Sequence, residues 1–158
     1  MAVEVFFDTS VLLAGLIDLG PQSGPAQSVL HAVAEKTVRS PGTAWPCCLE
    51  FFSVATRLPP EFRLRPEDAV QLLEEEVFAR MSVHDLSVAD REQMLRFLAA
   101  DRIAGGRIYD VHIAEIARSA GAKVIVTDNR RHFLSALRHD LRVATPSEFL
   151  SGFPKPSR

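Results

Sequence analysis

Short apolar runs rich in β-forming residues alternate with helix-like segments along this chain, and this alternation constrains the fold most. Residues 3–7 (VEVFF) and 123–127 (KVIVT) are two such runs, and residues 141–144 (LRVA) are a third. Runs of this kind predict buried strands. Because helical segments separate them, the strands are expected to be parallel and covered on both faces. We therefore predict an α/β fold, a three-layer α/β/α arrangement around a central, mostly parallel sheet.

Capping residues, prolines and glycines place the helices. Asp8, Thr9 and Ser10 are all N-cap types, so a helix is expected to begin there and to run to about Ile17. The stretch 37–45 is compatible with a short strand and turn. Further helices are predicted over 25–36, from Pro46 to the Pro59–Pro60 pair, from Pro66 to about 78, over 87–100 and 108–120, from the 128–129 turn to about 138, and as a short turn from Pro146.

Length and composition indicate an ordinary globular domain. The chain has 158 residues, 47% of them hydrophobic and 24% charged, with a net charge of -2. We expect one domain over residues 1–150 and a flexible tail over 151–158. A polyanion would have to be held by a local patch or through a bound metal, because the overall charge does not attract it.

Cysteine usage and the N-terminus bear on the compartment. Cys47 and Cys48 are adjacent in an apolar stretch, which favours buried free thiols and a reducing environment. The first apolar run has no basic region before it and contains Asp8, unlike a signal peptide or a membrane span. We expect a cytoplasmic protein that does not enter a membrane.

Four acidic residues lie in otherwise apolar or turn-forming stretches: Asp8, Glu50, Asp110 and Asp128. Each has a structural explanation, respectively as an N-cap, a solvated helix residue, a partner of the helix dipole and a turn residue. Together they favour another explanation, since buried unpaired carboxylates are costly and would repel one another without a cation. Oxygen ligands point to a hard divalent ion and to phosphate chemistry.

These motifs resemble those of PIN-domain ribonucleases of the VapC toxin type, over nearly the whole chain. The opening FFDTSVLLAGL is similar to that family's strand, Asp-x-Ser and apolar helix, and PCCLEFFSVATR resembles its second motif. GGRIYDVHIAEIARSAGAKVIVTDNRRHF resembles the third and fourth motifs together, and LRVATPSEFL resembles the usual ending.

The resemblance implies an endoribonuclease that uses Mg²⁺ or Mn²⁺ to hydrolyse phosphodiester bonds. Asp8, Glu50 and Asp110 take its first three acidic positions. The fourth acidic position falls on Asn129, so that Asp128 either compensates for the amide or faces away, and the number of metal ions stays open. A homodimer and a small antitoxin protein are also implied.

Candidate substrate contacts surround these acids. Ser10 and Thr127 are candidates for contacting a phosphate or a water at the metal, and Arg107, Arg130 and Arg131 for holding backbone phosphates of RNA. For the arginines, a solvated helix face is the alternative.

Two other functions are compatible with parts of the sequence. One is a PIN-like module that binds RNA or protein through a weakened or inactive site. The other is a phosphate-transferring hydrolase with an aspartate nucleophile, but the haloacid-dehalogenase-like pattern requires a second Asp where this chain has Ser10.

Overall fold

In the part of the chain that the structure describes, five strands form one sheet in which each pair of neighbours is parallel. The protein is represented by a computed structural model that describes residues 2–134 and 141–152. The spatial order is β3-β2-β1-β4-β5, and all four pairings are parallel, which confirms the prediction. The strands are β1 (Val5–Phe7), β2 (Pro41–Ala44), β3 (Ser82–His84), β4 (Val124–Val126) and β5 (Arg142–Ala144).

Helices occupy the connections between the strands. A 3₁₀ turn (Pro21–Ser23) precedes the second helix, and a π-helical segment (Leu73–Phe78) continues the fourth. The α-helices are α1 (Thr9–Leu16), α2 (Gly24–Ala34), α3 (Trp45–Ala55), α4 (Pro66–Leu72), α5 (Val88–Ala100), α6 (Arg107–Ser119), α7 (Arg130–Leu134) and α8 (Pro146–Leu150).

The strand order places these helices in two layers. The connections from β1 to β2 and from β2 to β3 run toward one edge of the sheet, and the later connections run toward the other. Right-handed crossovers therefore place α1–α4 on one face and α5–α7 on the opposite face. The helix contacts agree, because α1 packs against α2 and α3, while α6 packs against α5 and α7. The result is the expected three-layer α/β/α arrangement.

The point where the connections diverge lies between β1 and β4. These two strands are neighbours, yet the chain leaves β1 toward β2 and leaves β4 toward β5. In sheets of this type, such a switch point opens a crevice at the carboxyl ends of the strands. Asp8 follows β1 directly and Asp128 follows β4 by two residues, so both lie at this crevice.

The core is built around the same two strands. Phe6 and Phe7 of β1 and Ile125 and Val126 of β4 have no exposed surface. Continuous burial of this kind is typical of strands that are covered on both faces. Gly15 lets α1 approach α2, because a Cβ at this position would lie 2.4 Å from Leu30 Cδ1. The two strands that lead to Asp8 and Asp128 thus lie at the buried centre of the fold.

Several predicted boundaries need correction. Strand β3 was not predicted, because its Ser-Val-His sequence forms a partly exposed edge strand without an apolar run. Helix α2 ends at Ala34 rather than 36, since Lys36 has a positive φ of 61°. Helix α3 ends at Ala55, before the proline pair.

Some predictions fall partly outside the described residues. The predicted helix to about 138 is described over Arg130–Leu134, and its remainder lies outside the described residues, as does most of the predicted tail. Cys47 and Cys48 are free and buried, as predicted. None of the helices in residues 2–134 and 141–152 combines the length and the apolar character needed to cross a membrane.

Candidate active site

The ends of β1 and β4 place Asp8 beside Thr127. Phe7 and Val126 are register partners in the parallel pair, so the residues that follow them leave the sheet at the same level. The Asp8 amide donates to the Val126 carbonyl over 3.1 Å, which extends the pairing by one residue. The carboxylate of Asp8 and the hydroxyl of Thr127 therefore meet at the carboxyl edge of the sheet, between β1 and β4.

Asp8 is a buried carboxylate that hydroxyl groups hold in place. Its exposed fraction is 4%. Although Asp8 is the N-cap residue of α1, its side chain makes no capping hydrogen bond. Instead, Oδ2 accepts hydrogen bonds from the hydroxyls of Thr127, at 2.8 Å, and Ser10, at 3.1 Å. These hydroxyls, rather than a capping hydrogen bond, hold the side chain, and burial raises the pKa of Asp8 while the nearby Thr9 and Ser10 amides oppose this rise.

The same two hydroxyls fix the loop after β4. Ser10 Oγ accepts from the Asp128 amide at 3.0 Å, and Thr127 Oγ1 accepts from the Asn129 amide at 2.9 Å. Each hydroxyl has one proton, which it donates to Asp8, so the 3.3 Å Ser10–Thr127 contact adds no third hydrogen bond of this kind. The network locks the 127–129 loop onto the start of α1.

Glu50 and Asp110 come from helices on opposite faces of the sheet. Glu50, on α3, accepts a 2.9 Å hydrogen bond through Oε2 from the hydroxyl of Thr9, the first residue of α1. Asp110 lies in the first turn of α6, and its Oδ2 is 3.8 Å from Nδ1 of His132 on α7. Thr9 and His132 thus attach these two acids to the elements that follow β1 and β4.

Burial is the main cause of the raised carboxylate pKa values at this site, and a neighbouring carboxylate adds to two of them. Burial raises the pKa of Asp8, against the opposing effect of the Thr127 hydroxyl. Desolvation and then the charge of Asp8 raise the pKa of Asp128. Desolvation also raises the pKa of Asp110, His132 opposes this rise, and Glu50 adds to it. The acids therefore form two interacting pairs, Asp8 with Asp128 and Glu50 with Asp110.

The donor set fits a hard cation chemically, although it is not a preassembled ligand cage. Hard divalent cations prefer carboxylate oxygens, and a cation would stabilise the charged form of acids whose pKa values are raised mainly by burial and, for Asp110 and Asp128, also by a neighbouring carboxylate. Among the described residues, however, no group of three or more His, Cys, Asp or Glu side chains lies close enough together to hold a metal ion. Side chains of the two pairs would have to move closer together to share a cation.

The predicted arginines lie at the starts of two helices of the same layer. Arg107 is the first residue of α6, and Arg130 and Arg131 are the first two of α7. All three are exposed. Arg130 already forms a 3.2 Å ion pair with Glu148, so it is partly engaged within the protein.

The structure also relates the remaining predicted residues to the site. Thr127 is fully buried and its hydroxyl is engaged within the protein. Asn129 is exposed, and its backbone amide reaches Thr127. His112 lies with its Nε2 3.9 Å from Asp85 Oδ1. Thr9 was not predicted as the partner of Glu50, because its position inside the Asp-Thr-Ser segment suggested only helix capping.

Comparison with known proteins adds independent information. A family model described as a PIN domain matches residues 4–131. Ribonuclease VapC27 of Mycobacterium tuberculosis (strain ATCC 25618 / H37Rv) is 40% identical over 81 residues, which are 51% of this chain and 57% of that protein. The chain thus spans less than two thirds of the length of this relative.

Solved structures share the fold at low sequence identity. The crystal structure of Mycobacterium tuberculosis VapC20, described as a sarcin-ricin loop cleaving toxin, has a TM-score of 0.64 and 14% identity and covers 85% of this chain and 97% of its own. VapBC-1 from nontypeable Haemophilus influenzae has a TM-score of 0.58 and 16% identity, with coverages of 92% and 99%. At these identities the likeness establishes the fold.

Proposed function

Since this chain belongs to the PIN-domain family, we propose that it is a metal-dependent endoribonuclease that hydrolyses RNA phosphodiester bonds. The observation that carries the proposal is the Asp8 carboxylate, which is 4% exposed and held by two hydroxyls at the switch point of the sheet. Burying a charged carboxylate there lowers the stability of the fold unless a bound ligand of opposite charge compensates for the burial. A divalent cation is the ligand that such an oxygen site suits.

The residues that would hold the metal are the two acidic pairs. Asp8 and Asp110 are the central ligands in this proposal, with Glu50 as a third ligand or as the base that orients the attacking water. Asp128 takes the fourth acidic position, supported by its electrostatic interaction with Asp8. Asn129 is the weaker candidate for this position, because an amide carries no charge. Mg²⁺ or Mn²⁺ bound there would acidify a water and shield charge on the phosphate oxygens.

The hydroxyl network would keep the central ligand in one orientation. Thr127 and Ser10 both donate to Oδ2 of Asp8, so among the described residues Oδ1 has no hydroxyl donor. The two hydroxyls would thereby fix Oδ2, and Oδ1 would be the ligand atom in this proposal. Thr9 would act in the same way on Glu50. Positioning groups of this kind commonly affect metal affinity or activity by about 10- to 100-fold.

Substrate RNA would be held next to the acids by cations from α6 and α7. Arg107 and Arg131 are exposed and so can approach backbone phosphates. Arg130 would have to exchange Glu148 for a phosphate. Ser10 and Thr127, the other predicted substrate contacts, would act chiefly through Asp8, because their hydroxyls are already hydrogen-bonded.

The biological role that fits this activity is the toxin of a toxin–antitoxin pair. Identity to ribonuclease VapC27 supports the ribonuclease activity, and the fold shared with VapC20 and VapBC-1 supports a toxin controlled by a small antitoxin protein. A cytoplasmic homodimer over a single domain of residues 1–150 is part of the same proposal.

Metal binding and cleavage together test the proposal. In a thermal melt, adding Mg²⁺ or Mn²⁺ at about 100 times its Kd is expected to stabilise the protein by about 2.7 kcal/mol. Asp8→Asn should abolish both this shift and the cleavage of RNA. If Asp8→Asn cleaves RNA as fast as the wild type, the nuclease proposal is wrong.

An inactive binding module is the second candidate. It is favoured by Asn129 at the usual acidic position and by the absence of a gathered group of metal ligands in residues 2–134 and 141–152. RNA binding without a metal-induced shift and without cleavage would support this candidate.

A further inference from the structure

Two atoms of the kind that bind metal ions come close together between α6 and α7. Nδ1 of His132 lies 3.8 Å from Oδ2 of Asp110. This separation is longer than the roughly 2.7–3.2 Å of a hydrogen bond between nitrogen and oxygen, so the contact is not a hydrogen bond. Carboxylate oxygens and imidazole nitrogens are both common metal ligands. The pair is therefore a candidate for part of a metal site.

The separation of these two atoms is compatible with one ion between them. Ligand atoms that bind an octahedral ion at about 2.1 Å lie about 3.0 Å apart in adjacent positions and about 4.2 Å apart in opposite positions. The observed 3.8 Å lies between these values. The side chains of His132 and Asp110 are 60% and 31% exposed, so a small adjustment of either can bring both atoms onto one ion without disturbing the core.

The helix that carries His132 is anchored to the rest of the fold. Phe133, the next residue of α7, is 1% exposed and belongs to the hydrophobic core. The His132 amide donates to the Asn129 carbonyl at 2.9 Å, in the turn that opens the helix. Helix α7 also packs against α6, which carries Asp110. The backbone of His132 is thus held at a fixed place beside Asp110.

An imidazole adds something to this site that a further acid would not. Burial raises the pKa of Asp110, Glu50 adds to this rise, and His132 opposes it. A neutral imidazole nitrogen can bind a metal ion without adding another negative charge. It also affects which ion fits, because Mg²⁺ takes oxygen ligands and keeps several waters, whereas imidazole is a typical ligand of transition-metal ions.

We propose that His132 is a nitrogen ligand of the metal ion that Asp110 holds, and that it makes the site select Mn²⁺ over Mg²⁺. This inference rests on the proposed nuclease function, whose metal ligands are otherwise oxygen atoms, and it specifies the metal. An imidazole that serves Asp110 only as an ion-pair partner is the competing role for His132.

Mn²⁺ provides the measurement, because its unpaired electrons sense the nuclei of the atoms bound to it. The wild-type protein is loaded with Mn²⁺ in the absence of RNA, and pulsed electron paramagnetic resonance is used to detect coupling to nitrogen. We expect the coupling of one directly bound imidazole nitrogen. Titration followed by the same resonance gives the Kd of Mn²⁺, and competition gives the Kd of Mg²⁺, which should be the larger of the two.

Variants assign the effect to His132. His132→Gln should remove the imidazole coupling and raise the Kd of Mn²⁺ by about tenfold or more, since even outer-shell partners of a metal site contribute about 10- to 100-fold. The Kd of Mg²⁺ should change little. His132→Asp, which supplies a carboxylate, should restore metal binding and shift the preference toward Mg²⁺.

His112→Gln is the matched control. His112 also lies on α6, but its Nε2 is 3.9 Å from Asp85 Oδ1 rather than close to Asp110. This variant should keep the nitrogen coupling and both Kd values of the wild type. Circular dichroism checks that all three variants fold.

The inference is overturned if Mn²⁺ binds without nitrogen coupling, if no Mn²⁺ binds, if His132→Gln weakens Mn²⁺ and Mg²⁺ by the same factor, or if His112→Gln has the same effect as His132→Gln. Because these measurements contain no RNA, they are independent of cleavage. RNA cleavage by a protein whose bound Mn²⁺ shows no nitrogen coupling would reject the role of His132 and leave the nuclease function intact. Nitrogen coupling without any cleavage would instead reject the nuclease function and leave the metal ligand intact.

Discussion

The hydroxyl of Thr127 donates a 2.8 Å hydrogen bond to Oδ2 of Asp8, although 119 positions separate the two residues in the chain. Both groups are buried, and the pairing of β1 with β4 brings them together. The bond joins the two sides of the switch point. It also determines which oxygen of Asp8 is left without a hydroxyl donor, so Thr127 is the residue on which the geometry of the site most directly depends.

Replacing Thr127 by valine should impair both stability and activity. The isosteric change leaves Asp8 without its shortest hydrogen bond and the Asn129 amide without its acceptor. We expect a loss of about 1–3 kcal/mol in the free energy of unfolding and a fall of about 10- to 100-fold in RNA cleavage. Urea denaturation and a cleavage assay measure the two effects.

Thr43→Val is the matched control for this variant. Thr43 is equally buried, on β2, and donates to the Phe7 carbonyl at 2.7 Å rather than to a carboxylate. The Thr43→Val variant should be less stable than the wild type, while the activity of the protein that remains folded should stay close to that of the wild type. Equal loss of activity in both variants would show that Thr127 has no special role at the site.

Without metal, stability is expected to fall as the pH rises through the acidic range. Burial raises the folded-state pKa values of Asp8, Asp110 and Asp128 above their ordinary value of 3.8. Between the unfolded and folded pKa values, the folded state binds more protons than the unfolded state, so raising the pH destabilises it. This contribution is fully present below about pH 3.8 and is lost above the folded pKa values.

Asp8→Asn tests this linkage, because asparagine accepts the same hydroxyl hydrogen bonds without a charge. In EDTA at pH 7 the variant should have a higher melting temperature than the wild type, and the gap should narrow as the pH falls toward 4. With saturating Mg²⁺ or Mn²⁺, the difference in melting temperature between the variant and the wild type should shrink or change sign, since the wild type alone gains the full stabilisation by metal. A lower melting temperature for the variant in EDTA at pH 7 would contradict the burial argument.

Releasing Arg130 from Glu148 should strengthen RNA binding. Glu148 pairs with Arg130 and also caps α8, where its side chain accepts from the Thr145 amide. Glu148→Gln keeps a residue that can form the capping box but removes the charge. Because exposed ion pairs are weak, we expect RNA affinity to increase up to about fivefold, with a steeper dependence on salt. Arg130→Gln provides the opposite control and should weaken binding.

Both cysteines should be inert in the folded protein. Burial, with the charge of Asp8 adding to it, raises the pKa of Cys47 to about 12, and burial raises that of Cys48 to about 11. Since the thiolate is the reactive form, neither residue should react with a thiol reagent at pH 8 until the protein unfolds. Rapid reaction of a single equivalent under native conditions would show that one of these thiols is accessible.

Much of the architecture could be predicted because local sequence encodes it. The apolar runs at 3–7 and 123–127, each close to an acid, predicted both central strands and the edge at which the acids lie. Edge strand β3 escaped prediction, since three partly exposed residues carry no apolar pattern and owe their conformation to pairing with β2. Likewise, α3 ends before the Pro59–Pro60 pair because the turn after Ala55 is set by tertiary contacts, including the hydrogen bond from the Leu64 amide to the Ala55 carbonyl.

For the site, the sequence by itself determined which acids are present and that they follow buried elements. Both can be read from residue types and from the local pattern of apolar residues, which involve only residues close together in the chain. Only the tertiary structure decided how they interact. The pairing of β1 with β4 gave Asp8 its partners Thr127 and Ser10, and the packing of α1 beside α3 gave Glu50 its partner Thr9. The Thr9–Glu50 hydrogen bond joins residues that are 41 positions apart in the chain, and the Thr127–Asp8 hydrogen bond joins residues that are 119 positions apart. Both depend on strand order and layer packing, which no local pattern specifies.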